Sequence, residues 1–148
     1  MFETKPEPVS KAESTGLRRE RLPDTRNSIT HKFEISGHEG YIIVGLYQDG
    51  RPGELFLTMG KEGSTLGGLL DSIGILTSVA LQYGVPLGAL VRKFSYCRFE
   101  PSGWTKNPEI RQATSIVDYI FRWLGAKFLA ETNGESASEN ANAEAFDE

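Results

Sequence analysis

Cysteine is almost absent from this 148-residue chain, where Cys97 stands alone. A single cysteine excludes an internal disulfide framework and any disulfide that cycles within the chain. Histidine is scarce as well. His31, His38 and Cys97 are too few and too far apart for a recognisable zinc pattern. No serine, histidine and acid combination stands at a spacing that suggests nucleophilic catalysis. Long apolar runs are also missing: none free of glycine and polar residues is long enough to cross a bilayer. The opening "MFETKPEPVSKAESTG" lacks the apolar core of a secretory signal. The expectation is a cytoplasmic protein with no membrane partner, and the length suits one domain with a modest core.

Basic residues are missing from the C-terminal end. Residues 131–148 carry Glu131, Glu135, Glu139, Glu144, Asp147 and Glu148 and no Lys or Arg. This segment contributes −6 to a net charge of −4, leaving the remainder at +2. A remainder so close to neutral gives no support for direct nucleic-acid binding. The stretch "ETNGESASENANAEAFDE" has too little apolar surface to offset its ordering entropy, so 130–148 is expected to be a disordered acidic tail. It reads either as a solubilising appendage or as a peptide that docks on a partner through Phe146. Residues 1–27, with Pro6, Pro8, Pro23 and mixed charge, read as a flexible N-terminal arm. Its Arg18, Arg19, Arg21 and Arg26 are diluted by Glu20 and Asp24, which favours an arm that packs on protein over one that grips phosphate.

Within 28–129 the pattern is that of an α+β domain, a small antiparallel sheet of about three strands packed with about three helices. "SITHKFEISG" alternates Ile29, His31, Phe33 and Ile35 against polar residues, a period-two strand in which His31 reads as a satisfied core histidine. "EGYIIVGLYQDG" is apolar on both faces and reads as the central strand. Asp49-Gly50 and Pro52-Gly53 mark a turn before a third strand, "ELFLTMG". His38 falls in the turn "SGHEGY". From Leu66 the period becomes helical, with Leu66, Leu69, Leu70, Ile73, Leu76, Val79, Ala80 and Tyr83 as the expected stripe and Gly84 as the stop. Gly67, Gly68 and Gly74 would each weaken this helix by about 1 kcal/mol, which suggests close packing against the sheet. Ile75 and Leu81 extend its apolar circumference and imply deep burial or a second covering surface. "PLGALVRKF" reads as a short helix. In the last helix, "ATSIVDYIFRWLGAKFL", Thr114 or Ser115 is the expected cap and Asp118 suits the helix dipole.

Three segments are candidates for function. "MGKEGSTLGG" suggests a phosphate loop, but Lys61 follows the first glycine and Glu62 sits inside the would-be cradle, so the Walker spacing fails. Two readings of Lys61, Ser64 and Thr65 remain: a helix start capped by a hydroxyl, or a helix N-terminus that holds an anion such as a nucleotide phosphate. "SYCRFEPSGW" gathers Tyr96, Arg98, Phe99 and Trp104, residue types that anchor interfaces. Trp104 reads either as such an anchor or as a cap on the core beneath the last helix. Cys97 reads as a partly buried small side chain, with a reactive thiol as the alternative.

The phrases "HKFEISGHEGYIIVGLYQDGRPGELFLTMGKEGSTLGGLLDSI", "RFEPSGWT" and "DYIFRWLG" resemble the C-terminal accessory region, the TSCPD domain, of adenosylcobalamin-dependent (class II) ribonucleotide reductases. The resemblance spans residues 17–129. The motif that names the domain falls on Thr114-Ser115-Ile116-Val117-Asp118, with Ile116 and Val117 where the family has cysteine and proline. That departure removes a redox or metal role and leaves a helix-capping one. The family's enzyme is a ribonucleoside-diphosphate reductase, but its catalytic barrel and reducing cysteine pair have no counterpart in this chain. The resemblance therefore implies an accessory or detached module supporting deoxyribonucleotide synthesis, with no catalytic residue, metal or cofactor of its own. Adenosylcobalamin would belong to a larger catalytic reductase chain acting as its partner. A small nucleotide- or anion-binding regulator is the alternative.

Overall fold

The computed structural model describes residues 16–60 and 63–129, and the tail 130–148, residues 1–15, Lys61 and Glu62 lie outside it. Three strands form a meander in the order β1-β2-β3: β1 (Ser28–Ile35), β2 (His38–Leu46) and β3 (Pro52–Met59). Both pairings are antiparallel, with Ile29 opposite Val44 and Val44 opposite Leu55. The turn between β1 and β2 is Ser36-Gly37, both at positive φ (47° and 85°), a pair that matches the right-handed twist of the flanking strands. His38 is thus the first residue of β2 and not part of the turn. The alternation read from the sequence holds: Phe33, Ile35, Ile42, Val44, Leu55 and Leu57 face the core.

The core is built on α3 (Ile116–Phe128). Ile116 to Phe121, Trp123 and Leu124 are all buried. Tyr119 stacks on Phe33 with centroids 5.0 Å apart, and Trp123 stacks on His31 at 4.7 Å. A different flank of α3 meets α2 (Leu87–Phe94), where Phe94 lies 5.1 Å from Phe121 and Gly125 lets Val91 close in. Ser115 is the N-cap of α3 and accepts from the Asp118 N–H, as the sequence allowed.

The long helix α1 (Ser64–Gln82) keeps its expected phase only in part, with Leu70 buried and Leu66 and Ile73 packed against the core. Its buried residues are Leu70, Gly74, Thr77 and Gln82, while Leu69, Ile75 and Leu76 are exposed. The contact it makes explains this, because α1 lies along the open edge of β3. The Ser78 hydroxyl bonds both the N–H and the carbonyl of Leu55, and Gln82 Nε2 donates to the Gly53 carbonyl. Small and polar side chains thereby cover an edge that would otherwise offer unpaired backbone groups. A Cβ on Gly74 would sit 2.8 Å from the Leu55 oxygen, so its absence is what permits the approach. Gly67 and Gly68 meet nothing and do not share that reason. By length and composition α1 is the one described helix that could cross a membrane, and one face of it packs along β3.

The stretch expected to be flexible through residue 27 is held against the domain from Arg19 onward. Arg19 Nε donates to Gln82 Oε1 at 2.6 Å, and the Glu20 N–H donates to the Gln82 carbonyl at 2.9 Å. Arg26 forks onto the Glu54 carboxylate, and the Leu46 N–H donates to the Asn27 carbonyl. These bonds tie the end of α1 to the β2–β3 hairpin.

Candidate functional site

After α2 the chain turns out of helix at Ser95 and enters a loop whose backbone is fixed from both sides. The Tyr96 N–H donates to Asp118 Oδ1 at 2.6 Å, and the Phe99 N–H donates to the Thr114 carbonyl at 3.1 Å. The Cys97 carbonyl accepts from the hydroxyls of Thr114 and Ser115. Two short strands, β4 (Gly103–Trp104) and β5 (Gln112–Ala113), pair Trp104 with Gln112. Periodicity carries no sign of this second sheet, since each strand is two residues long. The β1–β2 turn holds the far side: the Ser36 N–H donates to the Trp104 carbonyl, and the Ser36 hydroxyl donates to the Ser102 carbonyl.

This backbone clamp leaves the side chains outside. Tyr96 is 68% exposed, Trp104 67% and Phe99 41%, with Phe94 at 40% beside them. Arg98 is exposed too. Trp104 therefore does not cap the core. The Arg122 guanidinium lies 4.7 Å over the Tyr96 ring and donates to the Gln112 carbonyl, so it links Tyr96 to β5, the strand that pairs with Trp104. Tyr96, Phe99 and Trp104, expected together from the sequence, are gathered around residues 112–114. Phe94 and Arg122 were missed because both sit at ordinary positions of helical patterns, and only the packing reveals what they face.

The motif stretch Thr114 to Asp118 organises this surface. Asp118 is wholly buried and accepts from the Tyr96 and Thr114 N–H groups and from Arg122 at 3.3 Å. Its role goes beyond the dipole effect read from sequence. Cys97 is exposed, not partly buried as expected.

The start of α1 is elsewhere on the molecule. Its N-cap is Gly63, with no side-chain cap bond, so the expected cap by Ser64 or Thr65 is not formed. Both hydroxyl residues lie within the first turn and are exposed, and Lys61 is outside the described residues. A cleft of about 430 Å³ lies beside β1, lined by His31, Glu34, Lys106, Asn107 and Tyr119 among others. Its polar groups are already paired. Asn107 Nδ2 donates to Tyr119 Oη, Tyr119 Oη and His31 Nε2 share a hydrogen bond of 2.8 Å, and Lys106 pairs with Glu34 at 2.8 Å. Burial pushes the His31 pKa down and the Tyr119 pKa up, which keeps this chain of bonds neutral. Among the described residues no group of three or more His, Cys, Asp or Glu could hold a metal.

The fold and its exposed surface define a class, an α+β domain that carries an aromatic and cationic face. The chain belongs to the TSCPD domain family, whose description it matches over residues 10–128. It is 62% identical over 124 residues to the vitamin B12-dependent ribonucleotide reductase of Rhodopirellula baltica, a match covering 84% of this chain and 12% of that protein. It is 53% identical over 111 residues to the protein of the same name from Streptomyces avermitilis, covering 75% of this chain and 12% of that one. With the protein of that name from Bradyrhizobium diazoefficiens it shares 44% identity over 113 residues, 9% of that length. The chain thus spans about an eighth or less of these relatives. No solved structure matches it.

Proposed function

We propose that this chain is a non-catalytic docking module of the vitamin B12-dependent ribonucleotide reductase system, supporting deoxyribonucleotide synthesis beside a larger catalytic chain. The observation that carries this reading is the 62% identity to a segment making up 12% of such a reductase. A region held at that similarity within a much larger enzyme has a surface suited to the rest of that enzyme. The face of Tyr96, Arg98, Phe99 and Trp104 is the part of this chain best suited to the contact, because buried Trp, Tyr and Arg side chains supply most binding energy at interfaces. Adenosylcobalamin is assigned to the larger chain. In this one, His31 Nε2 is engaged by Tyr119. Catalysis is assigned there too, since Cys97 is a lone thiol.

The purified chain, given adenosylcobalamin, a ribonucleotide and a reductant, is expected to make no deoxyribonucleotide. Used as bait in its native cell, it is expected to capture a reductase catalytic chain identifiable by mass spectrometry. Turnover that follows this chain through purification would overturn the non-catalytic assignment. Saturable nucleotide binding by the chain alone, abolished by changing Lys61, Ser64 and Thr65, would replace the docking reading with that of a small anion-binding regulator.

A further inference from the structure

We infer that the acidic segment 131–148 docks in cis on the aromatic and cationic face formed by Phe94, Tyr96, Arg98, Phe99, Trp104 and Arg122. Both sides of this contact lie in one chain, so the inference stands without the partner reading.

Charge is the first argument. Residues 87–129, which make up this half of the domain, carry seven Lys and Arg against three Asp and Glu, a net +4. Two of the three acids are engaged within the domain, and the third, Glu109, is exposed. Asp118 is buried and bonded to backbone and Arg122, while the Glu100 carboxylate is bonded to Ser102. Arg92 and Lys93 stand in the last turn of α2 and Arg98 follows on the loop. The tail brings six carboxylates and no cation.

Apolar chemistry is the second. The face exposes four aromatic side chains, and the tail holds one aromatic residue, Phe146, flanked by Glu144, Asp147 and Glu148. An aromatic among carboxylates is the complement of aromatics among guanidinium groups. Position is the third. The described chain ends at Leu129, whose side chain lies by Gly88 in the first turn of α2. From there α2 runs only about 12 Å to the face, whereas an extended chain covers about 3.3 Å per residue. Phe146, 17 residues past Leu129, has ample reach. A tethered segment meets its site at an effective concentration on the order of mM, so a weak contact suffices.

The exposed Cys97 provides the test. A nitroxide is attached to it in the full-length chain, and amide signals of the tail are followed by NMR. In about 10 mM salt, where charges act over about 30 Å, signals of residues 144–148 should be attenuated at least about twofold more than in a full-length chain with the six tail acids changed to Gln or Asn. The excess should vanish at about 1 M salt, where the range falls to about 3 Å. Attenuation identical in the two chains at low salt would overturn the inference, as would an excess unchanged at high salt.

Discussion

At the residue scale, Trp104 and His31 sit in contrasting surroundings. Both are aromatic rings in strand-like segments, yet Trp104 is 67% exposed and His31 is stacked against Trp123 and bonded to Tyr119. Trp104→Ala therefore removes little burial, and its thermal midpoint should stay close to that of the parent, with a stability change within about 0.5 kcal/mol. A loss of about 3–5 kcal/mol, the cost of emptying a core site, would return Trp104 to the core. For His31 the folded pKa lies below the ordinary 6.5 because burial disfavours the imidazolium. The unfolded chain then takes up its proton first as pH falls. The stability His31 contributes is full above the unfolded value and is lost as pH falls from there through the folded value. Urea unfolding at about pH 7.5 and 5.5 should show a larger drop for the parent than for His31→Gln. Equal drops would show that His31 is not the group responsible. Asp118 was legible only as a first-turn acid, because the Tyr96 N–H it accepts from is 22 residues away.

At the scale of elements, the three helices and three meander strands could be read because each has a clear period or a turn residue pair. The phase of α1 could be read only in part, at Leu66, Leu70 and Ile73. Hydrophobic periodicity locates a helix face only when that face is apolar. The face α1 presents to β3 is Gly74, Ser78 and Gln82, chosen for close approach and hydrogen bonding to a strand edge. The glycines of α1 test this. Gly74→Ala places a Cβ 2.8 Å from the Leu55 oxygen and should cost about 1–3 kcal/mol. Gly67→Ala meets open space and should stabilise by about 0.5–1 kcal/mol through better helix propensity. Chemical denaturation of the two variants should thus shift in opposite directions. Equal effects would mean that α1 does not contact β3 through Gly74. The β4–β5 pair escaped sequence reading for another reason: two-residue strands carry no periodicity, and their pairing depends on the distant Ser36 turn.

At the scale of the whole molecule, a closed core carries an outward-facing aromatic loop. The sheet, α3 and α2 bury the core, while the loop clamped by Asp118, Thr114 and Ser36 turns its aromatics outward. Sequence alone could name the residues of that loop but not their direction, which is set by hydrogen bonds to elements before and after it. The central claim is that this outward face binds a larger reductase chain. Its most direct measurement is calorimetric titration of the purified chain, and of Trp104→Ala, into the catalytic B12-dependent reductase chain of the same organism. The account predicts saturable binding by the parent and binding weakened by about 2 kcal/mol or more, roughly thirtyfold, in a Trp104→Ala variant that remains fully folded. No binding by the parent, or full-strength binding by the folded variant, would contradict it.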